Sequence, residues 1–247
     1  PALRFLSLLI EDFADEWLTK CLFYYRFTYP ADRAYGPRWV MDDTHPQATL
    51  EELDERHHAF LARQTERMPL VGCVPEHAEL LEQSYHHVLE ILEPFVALEK
   101  FLFGTRPSLA DFGLFGQLKT LATDPTPREV MRAKAPRVDT WTMRLDDTSG
   151  VEGEFLALDD LDPVVEKLIK LICEVYLSYL EANNSAHHAN AKNFSTTLDG
   201  HKYTQATFKY QVKCLQHLRE KYAGLPTTAK EKLMPFLNQA SAKILSA

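Results

Sequence analysis

The sequence predicts an all-α protein: a helical bundle of about nine helices with a C-terminal helical extension and one small β-hairpin. Three observations carry this. Apolar residues recur every three or four places through most of the 247 residues. Helix N-termini are marked by capping boxes, Thr49 with Glu52 and Ser108 with Asp111. A single Asp-Gly pair, Asp199-Gly200, sits between two short β-prone runs and signals one hairpin turn.

Residues 2–27 read as a long helix, with Leu3, Leu6, Ile10, Phe13, Trp17, Cys21 and Tyr24 in register and Glu11, Asp15, Glu16 and Lys20 on the opposite side. Its end is aromatic, Phe23, Tyr24, Tyr25, Phe27 and Tyr29, and the plain reading of such a cluster is core. Residues 30–48, rich in Pro, Asp and Arg, read as a loop. There Arg38 beside Trp39 fits either a carboxylate-binding pair or a stacked structural pair.

A helix over 49–68 follows, with Leu50, Leu53, Phe60 and Leu61 on its apolar side. Pro69, Gly72 and Pro75 mark a connector, and a further helix spans 76–99, with a kink expected at Pro94. The stretch 101–118 contains Gly104 and Pro107 as breakers, then Ser108 three residues before Asp111, then apolar or small residues almost throughout. That is a buried, well-capped helix, and Asp111 is a structural carboxylate. Thr126-Pro127-Arg128-Glu129 reads as the capped start of a short helix ending before Pro136, and a helix carrying Val138, Trp141 and Leu145 comes next. After a loop at 146–161, Asp162-Pro163 opens a helix to about Asn183, with a polar loop at 184–192. The hairpin falls at 193–206. Two closing helices run over 207–222 and 228–243, the last bent at Pro235.

The run Phe101-Leu102-Phe103-Gly104-Thr105-Arg106-Pro107-Ser108-Leu109-Ala110-Asp111-Phe112 resembles the core helix of the C-terminal all-helical domain of the glutathione transferase superfamily. Pro136 through Trp141 is similar to the helix that comes after it there. The resemblance covers roughly residues 1–147, leaving 148–247 as an extension. It implies a substrate-side domain that binds a small hydrophobic electrophile, uses glutathione as co-substrate and forms a homodimer. On the same analogy Tyr24, Tyr25, Arg26, Arg38 and Trp39 are expected near the substrate pocket, and Asp12 or Asp15 near the cationic end of glutathione. The family's thioredoxin-like domain, which supplies the catalytic residue, is not readable in these residues, so no catalytic residue is assigned here.

Composition narrows the alternatives. The net charge is −8 and no Lys/Arg cluster stands out, which argues against nucleic acid and against an anionic membrane surface. Cys21, Cys73, Cys173 and Cys214 are far apart in sequence, without Cys-x-x-Cys or zinc spacing, as expected of reduced thiols in a cytoplasmic protein.

Asp54-x-x-His57 and Glu55-x-x-His58 resemble the carboxylate-x-x-His of di-iron bundles. The partner helix offers only Gln83-x-x-His86, and adjacent histidines on a helix point about 100° apart. No metal is therefore expected. A non-catalytic glutathione transferase-like interaction module is the main alternative to an enzyme part.

Overall fold

The computed structural model describes residues 1–97 and 101–247. It is mostly helical, with one two-stranded antiparallel sheet. The helix expected over 76–99 has its last two positions, 98 and 99, outside the described residues.

The first helix organises the rest. It comprises α1 (Ala2–Phe13), a π-helical turn (Ala14–Leu18) and α2 (Thr19–Thr28), joined without a break. Leu6, Leu9, Ile10, Phe13, Trp17, Leu18 and Cys21 are wholly buried. Truncating one of these, Leu9→Ala for example, removes about 2–5 kcal/mol by lost burial and the cavity left behind.

Against α1 lies α6 (Leu109–Leu121), which is buried on that side only, Leu109 and Phe112 being exposed; close approach explains Gly113 but not Gly116, which has open space beside it. A Cβ on Gly113 would stand 3.0 Å from the Glu11 Cα. The Ser108–Asp111 capping box forms at the N-terminus of α6. The Asp111 carboxylate accepts from the Ser108 amide (2.8 Å), the Ser108 hydroxyl (2.6 Å) and the Leu102 amide (2.8 Å). Burial pushes its pKa up while these donors pull the other way, the balance of a structural carboxylate.

Several expectations are corrected. Residues 30–48 are mainly α3 (Pro30–Thr44), packed against α4 (Leu50–Arg67). Pro30 sits at the start, where its missing N–H and fixed φ suit a helix. Pro37 lies in the interior, and tertiary contacts outweigh its low propensity. The Thr49–Glu52 capping box of α4 forms as expected, but Leu50 is 77% exposed. Pro94 lies inside α5 (Ala78–Phe95), and the helix ends one residue later.

The helix α7 (Pro125–Lys134) starts before Thr126, with Asp124 at the cap position. Arg26 occupies the Asp124 side chain, and the Thr126 amide is satisfied from α3 by Asp32 Oδ1 at 2.9 Å. Next comes α8 (Pro136–Leu145), which buries Trp141.

The extension adds α9 (Pro163–Ile172), a second π-helical turn (Cys173–Leu177) and α10 (Ser178–His188). The polar end of α10, expected from its composition to be loop, stays helical because it is anchored. The Asn183 amide donates to the Phe208 carbonyl (3.0 Å) and accepts from its N–H (2.8 Å).

The hairpin forms at the expected place, β1 (Asn193–Leu198) and β2 (His201–Ala206), with Leu198 opposite His201 and Asp199 and Gly200 at φ 47° and 79°. Both turn residues at positive φ make the tight turn that Asp-Gly favours. The chain closes with α11 (Lys209–Ala223), α12 (Thr227–Leu233) and α13 (Gln239–Ser246). Pro235 separates the last two where a bend was expected. One hydrophobic core runs from Ala2 to Leu245, so 148–247 packs on the first part and shares its core. Among the described residues no helix is long and apolar enough to cross a membrane.

Candidate functional site

One face of α1 lies open between α6 and α11. At its start is an apolar cleft of about 580 Å³ lined by Pro1, Phe5, Leu8, Leu109 and Leu225, with Arg4 and Lys221 as its cations. A second cleft of about 480 Å³ shares Pro1, Arg4, Ser7 and Leu109 and continues to Phe155. Ser7, at the floor, accepts the Ala110 amide at 3.1 Å and so locks α1 to the first turn of α6.

Along α1 the face becomes acidic. Arg4, Leu8, Glu11 and Asp15 succeed one another at helical spacing and are exposed or half-buried. Burial, then the neighbouring Asp15, raise the pKa of Glu11. Glu16 is held by α11: Tyr210 Oη donates to it at 3.0 Å and Gln211 Nε2 at 2.6 Å.

The structure separates the two aspartates that the sequence placed near glutathione. Asp15 is exposed. Asp12 turns inward, where Tyr176 Oη donates to Oδ2 at 2.6 Å. Burial pushes the Asp12 carboxyl up to about 7; the Tyr176 hydroxyl opposes this, and Glu16, Glu11 and Asp15 add to it. Asp12 thus changes charge near neutral pH, while Asp15 is the carboxylate presented to solvent.

The other expected pocket residues lie at the far end of the first helix. Tyr24, Tyr25 and Arg26 are all buried, as a core reading requires. Tyr25 stacks on Tyr29, meets Tyr85 edge-on, and places its hydroxyl 3.5 Å from His86 Nε2. Arg26, 9% exposed, gives its Nε and Nη2 to the two oxygens of Asp124 at 2.7 and 2.8 Å. Its guanidinium also lies 5.6 Å from the Trp39 ring centre. The stacked pair is therefore Arg26 with Trp39. Arg38 bonds Asp42 at 3.1 Å and sits 3.7 Å from Asp54. Trp39 remains 41% exposed. These five residues join α2, α3 and α7 and do not line the cleft at Leu8 and Leu109.

One buried polar centre was missed. Lys20, expected on the solvent side, is only 5% exposed. Tertiary packing is the reason: β2, α10 and the turn at Met68–Val71 close over it. Its ammonium bonds the Val71 carbonyl and Gln205 Oε1, both at 2.9 Å, and the hydroxyls of Tyr179 and Tyr203 at 3.2 and 3.3 Å. It stands 4.4 Å from the Tyr179 ring centre. Every direct partner is neutral, and burial lowers the Lys20 pKa to about 8.

All four cysteines are buried and free, and burial raises the thiol pKa of each. Buried thiols of this kind are poor nucleophiles. No protein-family model, curated protein or solved structure matches the chain.

Proposed function

We propose that this chain is the substrate-side and dimerisation part of a glutathione transferase-like protein, taking a small hydrophobic electrophile with glutathione as co-substrate. The observation that carries the reading is the open face of α1, apolar at Leu8, Leu109 and Leu225 and acidic at Glu11 and Asp15. An apolar cleft with a few convergent charges is the usual form of a small-molecule site. The Ser108–Asp111 cap supports the same reading, because it fixes the first turn of α6, whose Ala110 amide bonds Ser7 of α1 at the wall of that face.

In this reading the electrophile occupies the apolar end. Asp15 meets the ammonium of glutathione, and Arg4 and Lys221 meet its carboxylates. Opposite charges of this kind orient a zwitterionic peptide more than they tighten its binding. Thiol activation falls to a thioredoxin-like domain outside these residues, since the four thiols and the buried tyrosines here all have raised pKa values.

The test is glutathione binding by calorimetry on this chain and on the uninterrupted gene product, with conjugation of an aryl halide as a second readout. Binding and conjugation by the longer product, weakened by Asp15→Asn, support the proposal. Failure of both forms to bind at millimolar glutathione overturns it and favours the non-catalytic interaction module. In that case the exposed Leu109, Phe112, Phe155 and Leu156 become the first surface to probe.

A further inference from the structure

We propose that Asp54, His57 and His58 of α4 form a mononuclear site for a divalent first-row transition metal, Zn²⁺ in the first instance, with solvent completing the coordination. This differs from a two-helix carboxylate-bridged centre, and it is independent of the glutathione reading.

One donor atom from each of the three residues lies within 4.8 Å of the others. Adjacent residues on a helix diverge by about 100°, yet the rings of His57 and His58 have centres 5.3 Å apart and planes inclined by 36°. Each ring is also held by a backbone carbonyl.

Pro37 has no N–H to give the carbonyl four residues back, that of Arg33. His57 Nε2 sits 3.2 Å from that carbonyl oxygen. A carbonyl only accepts, so Nε2 carries the proton and Nδ1 keeps its lone pair. His58 Nδ1 lies 2.8 Å from the Asp54 carbonyl, which by the same logic leaves Nε2 with a lone pair. Each ring is oriented through one nitrogen and holds the other ready, as in metal-bound histidines whose second nitrogen bonds a carbonyl.

The Asp54 carboxylate is the third donor, with Oδ2 3.7 Å from His58 Nδ1, the nitrogen that faces the Asp54 carbonyl. Two imidazoles and a carboxylate with an open fourth position suit Zn²⁺. Arg38 is the competing cation, 3.7 Å from Asp54 Oδ1. It has a closer partner in Asp42 at 3.1 Å and keeps that partner when a metal takes Asp54.

The experiment is calorimetric titration of the untagged chain with Zn²⁺ alone near neutral pH. One equivalent is expected to bind. His58→Ala, at an exposed position, and His57→Gln, which retains a donor for the Arg33 carbonyl, are each expected to weaken binding at least about tenfold. Thermal melts verify that both variants stay folded. His87→Ala and His188→Ala are expected to bind as the parent does. The proposal is overturned if no heat is seen at millimolar Zn²⁺, or if stoichiometric binding survives both His57→Gln and His58→Ala.

Discussion

Asp12 and Lys20 stand on either side of the same π-helical turn, one half-buried and the other buried, and the direct hydrogen-bond partners of each are neutral. One is an acid held by a tyrosine hydroxyl, the other a base held by a carbonyl, an amide oxygen and two tyrosine hydroxyls. Desolvation moves both toward neutrality from opposite directions, Asp12 up to about 7 and Lys20 down to about 8. Pairing the two directly would relieve both. Instead Asp12 bonds Tyr176 in the second π-helical turn, and Lys20 bonds the hairpin. The turn thus divides one helix into a half that borders the open cleft with tunable acidity and a half that anchors the hairpin.

The largest effect is expected from breaking the anchoring half. Gly72 has φ +76°, and a Cβ there would stand 2.0 Å from Tyr203 Oη. Gly72→Ala combines backbone strain with overpacking and should cost about 3 kcal/mol or more in urea denaturation, by displacing Tyr203 from Lys20.

The pH dependence of stability separates the halves. Between pH 3.8 and about 7 native Asp12 holds a proton that the unfolded chain has released, so its contribution is present at low pH and lost as pH rises through about 7. Asp12→Asn should remove that fall, on the order of a few kcal/mol, leaving the variant relatively more stable at neutral pH than at pH 4. For Lys20 the unfolded chain holds the extra proton between about 8 and 10.5, so stability rises with pH across that window. Lys20→Met should abolish the rise, again a few kcal/mol, in denaturation series at alkaline pH. If both parent profiles are flat, the comparison between the two halves fails.

The smallest stability effect should come from Asp15→Asn, at an exposed position, within about 0.5 kcal/mol. A loss of glutathione affinity in that stable variant would sharpen the functional half of the contrast. Unchanged affinity would remove Asp15 from the proposed site.

Local chemistry was legible wherever a short segment decides its own structure. The Thr49–Glu52 and Ser108–Asp111 caps each need only four residues, and both form. The Asp199-Gly200 turn sets its own register, Leu198 opposite His201. The misreadings share a different cause. The helix at Pro30–Thr44 contains Gly36 and Pro37, poor helix residues. It is held by its packing on α4 and by Asp32, which bonds an amide 94 residues away. The solvent exposure of Asp15 was readable from spacing, and the burial of Tyr24 and Tyr25 from their aromatic cluster. The inward turn of Asp12 toward Tyr176, the Arg26–Asp124 pair and the Lys20 centre were not, because each depends on residues about 100 or more positions apart.

The sequence by itself determined the all-α class, most helix starts, the capping box of α6 with its structural carboxylate, and the single hairpin. Those arise from periodicity and capping within one or two turns, where backbone hydrogen bonding is local. Only the tertiary structure decided which charges face water. β2 and α10 close over Lys20, and α11 and the second π-helical turn close over Glu16 and Asp12. The physical reason is that a charge's environment is set by what packs against it, and that packing comes from the far end of the chain.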